Sequence, residues 1–81
     1  MEIKILGPGC RNCVTLERHT RTALERLGAE ANITKVEDYA DIASYGVMKT
    51  PGLVVNGKVI ISGRVPKPND IAEHLRPLIT Q

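Results

Sequence analysis

The sequence predicts an α/β fold in the order βαβαββα, a mixed four-stranded sheet flanked by helices, and three observations carry that prediction. Hydrophobic periodicity passes from a short β-rich run to a helical stripe at the start of the chain. An Asn-Gly pair between two further β-rich runs marks a hairpin in its second half. A proline-led amphipathic segment closes it.

Glu2 to Leu6 reads as the first strand, stopped by Gly7-Pro8-Gly9. From Cys13 the residues Leu16, Thr20, Ala23, Leu24 and Leu27 recur at helical spacing. Glu17, Arg18, Arg21, Glu25 and Arg26 occupy the other side, and Gly28 is the natural stop. Glu17 and Arg21 stand in the favourable i,i+4 order for an ion pair. Ala31 to Val36 reads as a second strand, and the intervening helix makes it parallel to the first, in a right-handed crossover. Asp38 caps a short helix through Ser44, with Asp41 in its first turn and Gly46 beyond its end. Gly52–Val55 and Lys58–Ser62, joined by Asn56-Gly57, form an antiparallel hairpin because Asn-Gly readily takes the positive φ angles of a type I′ turn. Pro68 opens the last helix, where its missing N–H costs nothing, and Ile71, Ala72, Leu75, Leu78 and Ile79 give it an apolar side. Pro77 is expected to distort or end the regular bonding near Arg76 and leave the final residues frayed.

The 81 residues show no repeat, low-complexity stretch or linker, which fits one domain over residues 1–81. With no Phe or Trp and two Tyr, the core must be packed from Ile, Leu, Val and Ala. Eleven basic against nine acidic residues leave +2, spread along the chain, which argues against nucleic acid or an anionic membrane as a partner. Met1 to Leu6 is too short for a signal-peptide core and no apolar run is long enough to span a bilayer, so the expected location is the cytoplasm and the expected state a soluble monomer. In that compartment a cysteine pair points to redox chemistry or metal binding rather than a structural staple.

The two cysteines are Cys10 and Cys13. Cys10 falls where the first loop meets the first helix, and Cys13 lies about one turn in, so both sulfurs face one side and come within disulfide reach. A thiolate at a helix N-terminus is stabilised by unpaired N–H groups and the dipole's positive end, which lowers its pKa relative to a free cysteine. Arg11 adds a positive charge. Cys10 is therefore assigned as the exposed nucleophile that attacks a substrate disulfide, and Cys13 as the thiol that resolves the mixed disulfide, with no metal or organic cofactor. Arg11 and Asn12, between them, are candidate substrate contacts.

With the Cys-x-x-Cys so placed, the chain resembles the thioredoxin superfamily over nearly its whole length. Its length, the Gly-Pro-Gly-Cys-Arg-Asn-Cys start and Ser62-Gly63-Arg64-Val65 look most like the small archaeal and bacterial thioredoxin-like (glutaredoxin-like) redox-active disulfide proteins. The segment from Tyr45 to Gly57 is similar to the family's stretch in which a cis proline precedes the antiparallel hairpin. The resemblance implies that Pro51 is that proline, that Thr50 pairs with an incoming peptide like an added strand, and that the loop at Gly63 approaches the cysteines. Substrates would be disulfide-containing proteins or small disulfides, and the electron donor a thioredoxin-reductase-like flavoprotein. Some features depart from the family pattern. Lys4 stands where thioredoxins proper have a buried Asp that assists the resolving thiol. Arg-Asn replaces Gly-Pro between the cysteines, and no aromatic residue precedes Cys10. A single Gly63, separated from Asp70 by Arg64 to Asn69, does not match the stretch with which glutaredoxins hold glutathione.

The alternative reading of Cys10 and Cys13 is a soft-metal carrier of the ferredoxin-like type, which also puts Cys-x-x-Cys between its first strand and first helix. That fold runs βαββαβ and ends on a strand, whereas the signals here end on a helix. Structural zinc needs four ligands, and His19, on another side of the helix from Cys13, and His74 read as surface histidines. Tyr39 and Tyr45 read as helix-face packing residues.

Overall fold

A computed structural model of the chain describes residues 1–79. It contains β1 (Glu2–Leu6), α1 (Arg11–Leu27), β2 (Asn32–Val36), α2 (Tyr39–Ser44), β3 (Gly52–Val55), β4 (Lys58–Ser62) and α3 (Pro68–Ile79). The four strands form one mixed sheet in the order β2-β1-β3-β4. β1 runs parallel to β2, with Ile3 opposite Ile33, and antiparallel to β3, with Ile5 opposite Leu53. The element order and mixed sheet are those the sequence predicts, apart from a second strand that begins one residue late.

Alternation along β1 divides the core between the two faces of the sheet. Ile3 and Ile5 pack with Leu53, Val55 and Ile61 under the buried sides of α1 (Leu16, Ala23, Leu24) and α3 (Ile71, Ala72, Leu75). Leu6 and Val54 face the other way, against Ile42 and Val47. Thr20 is fully buried in the α1 stripe, and its hydroxyl donates to the Leu16 carbonyl at 2.8 Å, so its burial strands no polar atom. β4 carries an irregularity that the sequence does not announce. Leu53 pairs with Ile61 but Val54 with Val59, leaving Ile60 as the extra residue of a bulge. A regular strand would send Val59 and Ile61 to one face; the bulge sends Val59 to the α2 side and Ile61 to the α1–α3 side.

Local signals hold at the element ends. Gly28 closes α1 in the left-handed conformation, φ 65°. The Asp38 carboxylate caps α2 through Ala40 N–H at 2.7 Å. Asn56 and Gly57, φ 50° and 83°, make the hairpin turn.

Four expectations are corrected. Pro77 lies inside α3, which continues to Ile79. It removes one donor in the last turn, where the Glu73 carbonyl it would have met belongs to a solvent-exposed residue, so the helix need not stop. Of the final residues expected to fray, those up to Ile79 are helical, and Thr80 and Gln81 lie outside the described residues. Leu78 is 38% exposed and Tyr39 70% exposed, so neither is a packing residue; Tyr39 opens a six-residue helix that buries only Ile42. His19 is not a free surface group: its Nδ1 lies 2.9 Å from the Pro66 carbonyl, tying α1 to the segment before α3. His74 is exposed, as the sequence suggests.

Candidate active site

The site is built at the edge of the sheet where β1 hands over to α1. Cys10 is the N-cap of α1, in an extended conformation, and its carbonyl accepts the first helical bond from Val14 N–H at 3.0 Å. An N-cap side chain normally offers an oxygen to the orphan donors of the first turn. Here a sulfur takes that place: Cys13 N–H donates to Cys10 Sγ at 3.2 Å. Negative charge developing on this sulfur meets an oriented N–H and the positive end of the helix dipole, and the first turn holds no acidic residue to oppose it.

Cys10 and Cys13 are joined as a disulfide with Cα atoms 5.0 Å apart. The two sulfurs differ in access. Cys10 is half-buried, whereas Cys13 is 4% exposed. Arg11 and Asn12, between them, are exposed.

Three backbone segments frame the pair. Gly7 N–H donates to the Val36 carbonyl at 2.9 Å, which anchors the end of β1 to β2. A Cβ on Gly7 would collide with Cys13 Sγ, would sit 3.3 Å from Cys13 Cβ, and would come within 3.8 Å of Thr50 Cβ. Gly7 therefore separates Cys13 from Thr50 by no more than its own backbone. The Thr50–Pro51 peptide bond is cis, with Pro51 buried and Thr50 half-buried. Gly63 N–H donates to the Pro51 carbonyl at 2.9 Å, joining the end of β4 to the same corner. Cys10, Cys13, Thr50, Pro51 and Gly63 are thus one neighbourhood, although they come from three separate stretches of sequence.

Lys4 is engaged by Tyr45. Its Nζ donates to the Tyr45 hydroxyl at 2.7 Å and lies 5.4 Å from the ring centre. This bond, with smaller contributions from nearby carboxylates, raises the lysine's pKa above its ordinary value. Tyr45 packs beside the Leu6–Val54 cluster, so it is the tyrosine that keeps a packing role.

Gly7 escaped sequence reasoning, which took it for strand-ending punctuation; the close approach of Cys13 is a contact made only by the folded chain. Among the described residues no group of three or more His, Cys, Asp and Glu side chains is placed to hold a metal ion. An open concavity of about 530 Å³ lies at the opposite end of the sheet, lined by Met1, Leu24 and Ile33 among others, and shares no residue with the cysteine corner. The cysteine corner and that concavity are therefore separate parts of the surface.

A pair of sulfurs that can be bonded to each other or reduced, one of them within reach of solvent, trades two electrons with other sulfur pairs: the protein is a thiol-disulfide oxidoreductase. The chain belongs to the thioredoxin family, its residues 1–76 matching the family model described as a thioredoxin domain. It is 39% identical over 75 residues to a thioredoxin of Methanothermobacter thermautotrophicus, covering 93% of this chain and 97% of that one. It is 35% identical over 74 residues to a thioredoxin of Methanocaldococcus jannaschii, covering 91% and 85% respectively. Among the described residues no helix is long and apolar enough to cross a membrane.

Proposed function

We propose that Cys10 and Cys13 carry out reversible dithiol-disulfide exchange with protein disulfides, Cys10 attacking and Cys13 resolving. In the reducing direction the Cys10 thiolate attacks one sulfur of a substrate disulfide. The Cys10–substrate bond forms as the substrate's own S–S bond breaks, and the first substrate thiolate leaves. The Cys13 thiolate then attacks Cys10 Sγ, the Cys10–Cys13 bond forms, and the second substrate thiolate leaves. The substrate gains two electrons and the protein loses two. The observation that carries the assignment of roles is the difference between the sulfurs: Cys10 caps the helix within reach of solvent, and Cys13 is buried against Gly7.

Thr50, next to Pro51, offers backbone groups that pair with no other described residue, which supports its role as the strand edge for an extended substrate segment. Arg11 and Asn12 border the attacking sulfur, and Gly63 holds Pro51 from behind. In this reading residues 1–81 act as one domain and as a monomer in the cytoplasm. Exchange between sulfurs uses no metal or organic cofactor, and a flavoprotein of the thioredoxin-reductase type supplies the electrons.

The test is trapping. Cys13→Ser is expected to accumulate mixed disulfides through Cys10, visible as adducts by mass, and Cys10→Ser to lose turnover altogether. Full activity in the Cys10 variant, or adducts on Cys13 instead, would overturn the assignment.

A further inference from the structure

The strand order places four loops side by side along the edge that carries the cysteines. They run from the loop after β2 (Glu37, Asp38) to the Gly7–Cys10 turn, then the segment before β3 (Met48, Lys49, Thr50), then the residues after β4 (Gly63, Arg64). Their charges are sorted by sign. On the β2 side Glu37 and Asp38 are exposed, and a Glu37 carboxylate oxygen lies 3.1 Å from where a Cβ of Gly9 would stand. The Asp38 carboxylate is committed to the start of α2. On the far side Lys49 and Arg64 are exposed, and Lys49 Cβ lies 2.9 Å from where a Cβ of Gly63, the residue before Arg64, would stand. Arg11 adds a third cation beside Cys10.

Some surface cations are neutralised locally: Arg21 and Lys35 are paired to Glu17, and Arg76 to Glu73. Arg18, Lys58 and Lys67 are exposed without such a partner among the described residues, but they lie away from the cysteine corner. Among the described residues Arg11, Lys49 and Arg64 have no carboxylate within ion-pair distance. Their fields are therefore not cancelled by a partner, and they lie at the corner where Thr50 and Cys10 would meet a substrate. Met48, 96% exposed and next to Lys49, adds an apolar contact that no other described residue covers. An approaching segment meets positive potential on the β3–β4 side of Cys10 and negative potential on the β2 side. Such an arrangement acts mainly on encounter rate and on the choice among partners.

We infer that the substrate class is a protein disulfide whose reacting cysteine is flanked by acidic side chains, docked with those side chains toward Lys49 and Arg64 and away from Glu37. The inference rests on the exchange reading above. It adds which disulfides are taken and in which orientation they lie.

Three disulfide peptides, alike except for acidic, neutral or basic residues beside the cysteine, test it through the second-order rate of their reduction by the dithiol protein. At 0.1 M salt, where screening acts over about 10 Å, the acidic peptide is expected to react about tenfold faster than the basic one. At 0.5 M salt the difference is expected to shrink. Arg64→Glu should remove or reverse the ranking. Lys58→Glu makes the same change of charge at the start of β4, a strand roughly 13 Å long with Arg64 beyond its far end, and should leave the ranking in place. Equal rates for the three peptides, or the same loss of ranking in both variants, would overturn the proposal while leaving sulfur exchange intact. Failure to reduce even the neutral peptide would instead overturn the exchange reading on which it stands.

Discussion

Gly63→Ala, set against Gly28→Ala, separates two costs that a single substitution would mix. Both glycines hold positive φ, 77° and 65°, where an L side chain loses about 1–2 kcal/mol. Around Gly28 an added Cβ meets nothing within 4 Å, so Gly28→Ala carries the backbone cost alone. At Gly63 the same Cβ meets Lys49 Cβ at 2.9 Å, a contact that must be relieved by moving backbone, and overpacking of this sort costs about a further 1–3 kcal/mol. A chain of this length has about 4–12 kcal/mol of stability in all. Gly63→Ala should thus remove a large share of it, about 1–3 kcal/mol more than Gly28→Ala. The displacement also falls on the Gly63 N–H to Pro51 carbonyl bond, and so on the strand edge at Thr50; peptide reduction should slow in Gly63→Ala and not in Gly28→Ala. Urea unfolding of both variants with the cysteines kept oxidised measures the first effect, and stopped-flow reduction the second. Equal unfolding free energies would show that the Lys49–Gly63 approach has slack and that Gly63 does not fix this corner.

Other consequences are open to direct measurement. Burial pushes the Glu17 carboxyl up, but hydrogen bonds from Lys35 and Arg21 outweigh it and hold the group below its ordinary 4.5. A carboxyl held low in the folded chain stabilises the fold above its unfolded pKa, and that contribution is lost as pH falls through the folded value. Glu17→Gln should therefore lower stability at pH 7 by less than about 1 kcal/mol, since the Arg21 and Lys35 side chains of these pairs are more than half exposed to screening solvent. The gap in urea midpoint should narrow as the pH falls below 4.5, and a gap of equal size at pH 7 and pH 3 would refute the attribution. Gly7→Ala puts a Cβ where Cys13 Sγ lies; a free thiol can rotate away from it but a bonded one is held. The variant's disulfide should be about tenfold easier to reduce, or about 30 mV for this two-electron couple. An unchanged potential would show that Cys13 yields without cost.

What the sequence made legible is what neighbouring residues determine among themselves. Asn56-Gly57 carries its own turn geometry, Gly28 its own helix stop, and Asp38 its own cap, so β3–β4, the end of α1 and the start of α2 could be read locally. The three-residue spacing of Cys10 and Cys13 at a loop-to-helix change likewise fixed where the sulfurs lie. Thr50, Pro51 and Gly63 became legible through likeness to a family, because nothing local links them to the cysteines. The rest depends on contacts made only by the folded chain. No pattern around Gly7 says that Cys13 will pack on it, none at Ile60 announces a bulge, and His19 meets Pro66 across 47 positions. Tyr39 misled because aromatic residues usually bury, whereas α2 is too short to cover more than Ile42.

The most direct test of the central claim is a redox titration of the purified, metal-free protein, following Cys10 and Cys13 by thiol labelling and mass, with and without zinc or copper(I). The exchange account predicts one two-electron transition within the range spanned by thioredoxins and glutaredoxins, little moved by metal. Thiols that resist forming the Cys10–Cys13 disulfide and instead bind a soft metal ion tightly would contradict it.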